Sequence, residues 1–300
     1  MTSKRKSRFL LSAVLIVILT AYAKEMSAFI LQGIKISVFT VIPAIFPFLV
    51  LADYLSAESG DFPFDGFLAR IFNIPRKSVG ALVCGIICGF PSGVKYCARL
   101  YESKNITKEE FERLIGLVNN PSIAFVVSAV GIGFMNSQND GILLFLSIII
   151  SVIITARTFK MPSQKMHNSD FISKQSFDFI KSIRDAGISA LYISSYIVFF
   201  SSVIGFIKIF IKNGVILAFL ASTLEIGNAT SIISLLTLNE YHVFFLYGFA
   251  LGFSGFSVHL QAFSLLPYNI KKGKYLLMKL FQGITCALCA AILKTFFNLI

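Results

Sequence analysis

The sequence predicts an all-α membrane protein that crosses the bilayer several times. Of its 300 residues, 56% are hydrophobic and only 14% are charged, whereas a soluble domain carries about 25% charged residues. The apolar residues form long blocks such as 29–51, 186–211 and 241–266, each long enough to cross a hydrocarbon core of about 30 Å. Several blocks are broken by Gly and polar residues, and such breaks are tolerated at membrane depth only inside protein or beside a cavity.

Charge and motifs exclude several other classes. The net charge is +12, but the basic residues lie between the apolar blocks, so they indicate topology rather than nucleic-acid binding. The chain contains no His-Glu-x-x-His, Gly-x-Ser-x-Gly or Walker-type motif, and we expect neither an enzyme nor a bound cofactor. Cys84 and Cys88, like Cys286 and Cys289, are predicted to be buried small apolar residues rather than a disulfide or zinc framework.

The N-terminus resembles a signal peptide, with basic residues before an apolar run 9–20 and the triplet Ala21-Tyr22-Ala23. Because further spans follow, we expect a retained first span, roughly 9–23, with residues 1–25 forming an N-terminal transmembrane anchor and the N-terminus in the cytoplasm. The alternative is a cleaved signal peptide.

The first half continues with a span over 29–52 and then a broken segment, 78–102. Its break at Gly89–Gly93 leaves two arms of about 11 residues, or ~16 Å of helix, which is half the membrane core. This length predicts a re-entrant hairpin. Residues 104–118 are predicted to form an interfacial helix, which begins with Thr107 and Glu110 at capping-box spacing.

The distribution of charged residues predicts the direction in which the remaining segments of the first half cross the membrane. Residues 121–136 are predicted to go out, 136–140 to turn, and 141–156 to return. The loop 157–184 carries six basic and two acidic residues, so we place it in the cytoplasm.

The second half repeats this plan from the opposite side of the membrane. Its predicted elements are an outward span 186–212, a hairpin 214–238 broken at Glu225–Asn228, a span 241–266 broken at Gly252–Gly255, and a last span 275–297. The prediction is therefore a repeat over 26–157, a cytoplasmic basic loop over 158–185 and an inverted repeat over 186–300. The alternative is a set of ordinary spans with tolerated Gly and Pro. Three cations near the outer side are expected to snorkel to the interface: Lys208, Lys212 and Lys294.

The first hairpin offers a candidate anion site. Lys95 and Arg99 lie one helical turn apart and share a face. Four residues open the second arm and direct its free N–H groups and positive dipole end at the break, which suits a carboxylate or phosphate: Gly89, Pro91, Ser92 and Gly93. The alternative is that both cations snorkel to the cytoplasmic surface.

The second hairpin offers a candidate coupling site. Glu225 is the one carboxylate between Asp185 and Glu240, and a charge at mid-membrane costs about 2.5–3.5 kcal/mol on insertion scales. We expect it to couple a proton, coordinate a cation or pair with Lys95, with a static ion pair as the alternative. Asn228 beside it provides hydrogen bonds.

Polar side chains at the two broken spans are predicted to line a substrate cavity. They are Asn119 and Asn120 before the first span, and Ser257, His259 and Gln261 in its counterpart. His259 has a side chain that titrates near neutral pH, although a lone helical His is more often simply hydrogen-bonded.

These motifs resemble a known family. The segments Gly89-Phe90-Pro91-Ser92-Gly93-Val94-Lys95, Asn119-Asn120-Pro121-Ser122 and Gly252-Phe253-Ser254-Gly255-Phe256-Ser257-Val258-His259 are similar to those of YlbJ-type sporulation integral membrane proteins. The resemblance implies a Gate (nucleoside-recognition) domain whose plan is similar to that of concentrative nucleoside transporters, with inverted repeats, two re-entrant hairpins and two unwound helices.

The resemblance also implies a function, which is the movement of dipicolinate through the outer forespore membrane. The leading hypothesis is a secondary carrier of this small organic anion, with Lys95 holding the anion and Glu225 or His259 handling a coupling H+ or Na+. The alternatives are a nucleoside or nucleobase carrier and a structural membrane protein of spore assembly. The lipid bilayer is the expected surrounding, and candidate protein partners are a second copy of the chain or other sporulation membrane proteins.

Overall fold

The computed structural model describes residues 20–57, 64–160, 177–267 and 270–298, with a few positions between 9 and 17. Most of the predicted N-terminal anchor and the middle of the basic loop therefore lie outside the described residues. Within these ranges the regular elements are all helical, which confirms the predicted all-α class.

The first half contains α-helices and two π-helical segments. They are α1 (Ala23–Lys35), a π-helix (Ile36–Val41), α2 (Ile42–Ala57), α3 (Asp65–Phe72), α4 (Val79–Ile87), α5 (Ser92–Glu102), α6 (Lys108–Val118), a second π-helix (Phe125–Phe134) and α7 (Gln138–Thr158). The second half contains α8 (Phe179–Phe210), α9 (Gly214–Leu224), α10 (Ile226–Ile233), α11 (Glu240–Phe253), α12 (Gly255–Ser264) and α13 (Lys272–Phe297).

Five helical stretches among the described residues are long and apolar enough to cross a membrane. They are Ala23–Tyr54, Gln138–Thr158, Phe179–Phe210, Glu240–Ser264 and Lys272–Phe297. Each overlaps a predicted span, so the multi-pass membrane character is confirmed. The helix α8 begins before the predicted residue 186, because Asp178 caps its first turn by accepting from the Lys181 N–H at 3.0 Å.

Both predicted hairpins are pairs of packed helices joined by a short break. In hairpin one, α4 and α5 are joined by residues 88–91, and a Cβ on Gly93 would lie 2.7 Å from the Gly85 Cα. In hairpin two, α9 and α10 meet at Glu225. The far ends of this second pair also meet, since a Cβ on Gly214 would lie 2.9 Å from a Leu236 methyl group.

The predicted interfacial helix is α6. The Thr107 hydroxyl accepts from the Glu110 N–H at 3.2 Å, and the Glu110 carboxylate accepts from the Thr107 N–H at 2.7 Å, so the capping box is confirmed. Its apolar side chains Phe111, Leu114, Ile115 and Val118 are buried, and so is Arg113. The Arg113 guanidinium donates to the carbonyls of Ala156 and Phe159, and this contact ties α6 to the end of α7.

The loops collect at two ends of the molecule. At one end, which we call the basic end, the Arg157 guanidinium donates to the Arg70 and Ile71 carbonyls at 3.0 and 2.9 Å, and the Lys271 N–H donates to Glu112 at 3.0 Å. The helix α7 leads from this end to the opposite one, where Asp140 lies in its first turn.

At the opposite end the prediction for Lys294 is wrong. Lys294 does not snorkel, because its ammonium lies 2.9 Å from the Asp140 carboxylate and 3.5 Å from Glu240. Only 8% of Lys294 is exposed. The starts of α7 and α11 are therefore fastened to the end of α13, and loops predicted to share a side do lie together.

Candidate functional site

The tip of hairpin one packs on the first helix break, which consists of residues 119–122 between α6 and the second π-helix. The N–H of Phe90 donates to the Asn120 carbonyl at 2.9 Å. Gly89 beside it has φ +76°, and a Cβ there would lie 2.5 Å from the Ser122 nitrogen. A side chain is excluded at this position by both the backbone conformation and the close approach.

The tip of hairpin two packs on the second helix break in the same manner. This break lies at Ser254, with φ +74°, between α11 and α12. Gly255 follows with φ +79°, and a Cβ on it would lie 3.1 Å from the Glu225 nitrogen. In each half, a hairpin tip thus contacts the break of the span that follows it in the sequence.

A cavity lies between the two hairpin tips, and we call it the central cavity. Its polar lining consists of Ser122, Glu225, Ser257 and Gln261. Its apolar walls consist of Val41, Ile45, Phe90, Phe125, Ile193, Ile197, Ile226 and Val258, with Gly227 completing the lining. The cavity is small, with a volume of about 20 Å³, which is room for about one water molecule.

Two polar atoms of the central cavity lack a protein partner. The Ser257 hydroxyl and the Gln261 carbonyl oxygen are buried and have no hydrogen-bond partner among the described residues. Ser257 and Gln261 lie one turn apart on α12 and share a face. Because buried polar groups are normally paired, these two atoms are suited to contact a bound molecule.

Glu225 lines the central cavity and also begins α10. Its carboxylate accepts from the N–H groups of Gly227 and Asn228 at 2.8 and 2.6 Å, and from the Asn228 amide at 2.7 Å. It is 1% exposed. The predicted pairing of Glu225 with Lys95 is not found, because the Lys95 ammonium instead donates to the Ser189 hydroxyl at 2.8 Å.

Lys95 lies in a separate space, which we call the lysine cleft. Ser92, Lys95 and Arg99 line it from α5, facing Asp53 of α2 and Asp185 of α8. The Arg99 guanidinium lies 3.7 Å from the Asp53 carboxylate. The cleft therefore gathers the predicted cations together with two carboxylates that balance their charge.

The lysine cleft and the central cavity are stacked along one groove. Both are lined by the same face of α8, with Asp185 and Ser189 in the cleft and Ile193 and Ile197 in the cavity. These positions recur every four residues and span about 18 Å of helix. Hairpin one separates the two spaces, since Phe90 faces the cavity and Ser92 faces the cleft.

The remaining predicted residues belong to a third group, which we call the lysine network. The Lys279 ammonium donates to the Asn119 carbonyl at 2.9 Å, to the Gln282 side-chain carbonyl at 2.9 Å and to the Asn120 side-chain carbonyl at 3.3 Å. The Gln282 amide also donates to Asn120 at 2.7 Å. Asn119 and Asn120 thus hold α13 and do not line the central cavity.

His259 joins the same network through Tyr275. The Tyr275 hydroxyl lies 2.8 Å from His259 Nδ1 and accepts from the Asn119 amide at 2.6 Å. All of these side chains are fully buried. His259 therefore points away from the face of α12 that carries Ser257 and Gln261.

The sequence does carry a signal for this network. Tyr275, Lys279 and Gln282 follow one another at spacings of four and three residues in a predicted span, so they form a polar stripe on one helix face. The prediction of residues 275–297 as an apolar span overlooks this polar stripe. The stripe is held close to α11 because Gly248, Gly252 and Gly283 allow a tight crossing of α11 and α13.

The described residues contain no group of three His, Cys, Asp or Glu side chains that could hold a metal ion. All five cysteines are free.

The fold and these polar spaces define a multi-pass helical membrane protein with interrupted helices around a buried polar cavity. The chain is 26% identical to the sporulation integral membrane protein YlbJ of Bacillus subtilis (strain 168), over 84% of this chain and 74% of that protein. This similarity agrees with the resemblance of its motifs to those of YlbJ-type integral membrane proteins. No family model matches the chain, and no solved structure matches it.

Proposed function

We propose that the chain is a secondary carrier of a small organic anion, with dipicolinate as the first candidate. The observation that carries the proposal is the central cavity, where two hairpin tips and a helix break enclose unpaired polar atoms within a membrane protein. Broken helices around such a site are typical of secondary transporters. The name of the relative YlbJ supports a role in sporulation, and we place the carrier in the outer forespore membrane.

In this proposal the two halves are inverted repeats that rock about the central cavity. The supporting observation is that each hairpin tip contacts the helix break of its own half. The small size of the cavity then corresponds to a closed state. Alternating access would open the cavity toward the lysine cleft when hairpin one moves.

The chemistry of the groove suits an aromatic dicarboxylate. Lys95 and Arg99 would attract the anion at the cleft, where it would compete with Asp53 and Asp185 for these cations. In the cavity, the ring would lie between apolar side chains such as Phe90 and Phe125. The Ser257 hydroxyl would donate to one of its carboxylates, whereas the unpaired Gln261 carbonyl oxygen would accept from a donor on the ligand.

A nucleoside or nucleobase is the second candidate substrate, and one observation favours it. Among the described residues that line the central cavity, none is Lys or Arg. A neutral ring with hydrogen-bonding edges would suit Ser257, Gln261 and Glu225 without a cationic partner.

Uptake into proteoliposomes tests the proposal, with labelled dipicolinate and labelled uridine compared in parallel. We expect dipicolinate uptake that falls about tenfold in Lys95→Ala and in Ser257→Ala, since each loses a hydrogen bond to a charged ligand. Ser264→Ala is the matched control, because this hydroxyl is on the same helix as Ser257 but is exposed. Uridine uptake that survives Lys95→Ala would favour the second candidate, and no uptake of either compound by folded protein would contradict both.

A further inference from the structure

Lys279 is one of two fully enclosed cations among the described residues, the other being Arg113. Lys279 is 0% exposed, and its three ammonium hydrogens match three oxygen acceptors at 2.9 to 3.3 Å. None of these acceptors is a carboxylate. They are the backbone carbonyl of Asn119 and the side-chain carbonyls of Asn120 and Gln282.

This set of oxygens has the composition of a cation-binding shell. Carbonyl oxygens of unwound backbone commonly coordinate the coupling cation in secondary transporters, and neutral oxygens are ligands of hard cations such as Na+. Here the unwound backbone is the break at residues 119–122. The position at its centre is filled by the ammonium of a side chain from another helix.

We propose that Lys279 is a tethered cation that replaces a coupling metal ion at this break, so that the break binds no Na+. The suggestion that Lys279 replaces a coupling ion rests on the proposed carrier function. The binding of Na+ at this break does not depend on that function, and it is measured without a transport substrate. Failure of the uptake experiment and failure of this inference are therefore distinguishable.

The cost of burying Lys279 supports a positioning role. A lone buried ammonium is strongly destabilising unless it is compensated, and an apolar side chain of the same length would fill the space without that cost. Only a cation satisfies three converging oxygens at once. Through Asn120, whose carbonyl accepts from Phe90, the cation also holds the tip of hairpin one.

Thermal unfolding of the purified full chain in detergent tests the inference, with Na+ replaced by choline at constant ionic strength. In Lys279→Ala the oxygens lose their cation and space opens beside them. We expect this variant to unfold earlier in choline and to gain about 3–5 °C, saturably, as Na+ is added. Lys279→Met fills the space without a charge and is expected to unfold early in both salts.

The wild type is expected to show no saturable response to Na+, and so is Lys274→Ala, the control at a partly exposed position of the same helix. A Lys279→Ala variant that is indifferent to Na+ would overturn the inference. If neither Lys279 variant folds, binding of radiolabelled Na+ to the wild type decides. Stoichiometric binding that is lost in Asn120→Ala would show that the break takes an ion beside Lys279.

Discussion

Among single residues, Glu225 both caps a helix and lines the central cavity. Its carboxylate accepts three hydrogen bonds from Gly227 and Asn228, so it is the N-cap of α10. The partial positive charge of the helix N-terminus stabilises it there. Glu225 also lines the central cavity. The side chain that caps α10 at the hairpin tip therefore lies where a substrate or a proton would reach it.

The variant Glu225→Gln should lower the stability of the protein. The amide group offers one acceptor oxygen in place of two and brings a donor toward N–H groups that also donate. We expect a loss of about 1–2 kcal/mol, the upper part of the range for a lost N-cap, measured by thermal unfolding in detergent. Asp178→Asn is the control, because Asp178 is an exposed N-cap and Asn caps equally well. Equal stability of the two variants would contradict the capping role.

The sequence predicts some site residues well and misses others for a physical reason. Glu225, Ser257 and Gln261 are predicted because each interrupts an apolar run, and all three line the central cavity. Asn119 and His259 interrupt such runs too, but the structure turns them toward Tyr275. A break in hydrophobicity locates a polar residue along the chain, whereas its neighbours depend on how helices rotate about their axes.

Among the elements, hairpin one is held by a close approach that only glycine permits. A Cβ on Gly85 would lie 2.1 Å from the Val118 carbonyl oxygen, and one on Gly93 would lie 2.6 Å from the same atom. Both arms therefore rest on the last turn of α6. This contact sets the depth of the hairpin tip relative to the break at residues 119–122.

The variant Gly85→Ala should separate hairpin one from α6. Because the clash is with backbone, it cannot be relieved by a rotamer change, and we expect a destabilisation of about 3 kcal/mol. The measurement is the yield and melting temperature of the monodisperse protein. Gly187→Ala is the control, since nothing lies within 4 Å of its added Cβ, and it should be neutral or stabilising by up to about 1 kcal/mol. A Gly85→Ala variant as stable as wild type would rule out the packing.

Elements defined by local chemistry are the ones that the sequence predicts. The α6 N-terminus follows from Thr107 and Glu110, and the hairpin breaks follow from Gly and polar residues. The π-helical form of Phe125–Phe134 has no such marker, because its apolar side chains suit an α-helix equally well. Burial of Arg113 was also unpredicted, since its partners are carbonyls that become available only when α7 ends beside it.

At the scale of the whole molecule, the charges are divided between two ends. The Lys and Arg residues of the basic end include Arg70, Arg76, Lys77, Lys108, Arg157, Lys271, Lys272 and Lys274. At the opposite end, Lys294 is neutralised by Asp140 and Glu240. Basic loops are retained in the cytoplasm during insertion, and the ion pair neutralises one of the three cations predicted near the outer side, Lys294, while Lys208 and Lys212 are exposed.

The basic end should therefore face the cytoplasm. Single cysteines at exposed positions test this with a membrane-impermeant maleimide on intact non-sporulating cells that produce the chain in their plasma membrane. Gln138→Cys and Asn239→Cys, at the opposite end, should react at once. Glu109→Cys and Lys272→Cys, at the basic end, should react only after permeabilisation. The unsubstituted chain gives the background, which should be low because four of its cysteines are buried.

Immediate labelling of the basic end and delayed labelling of the opposite end would show that the orientation is the reverse of the one predicted, with the same fold. Different labelling of two positions at one end would instead contradict the grouping of loops, because a single end cannot face both sides of the membrane.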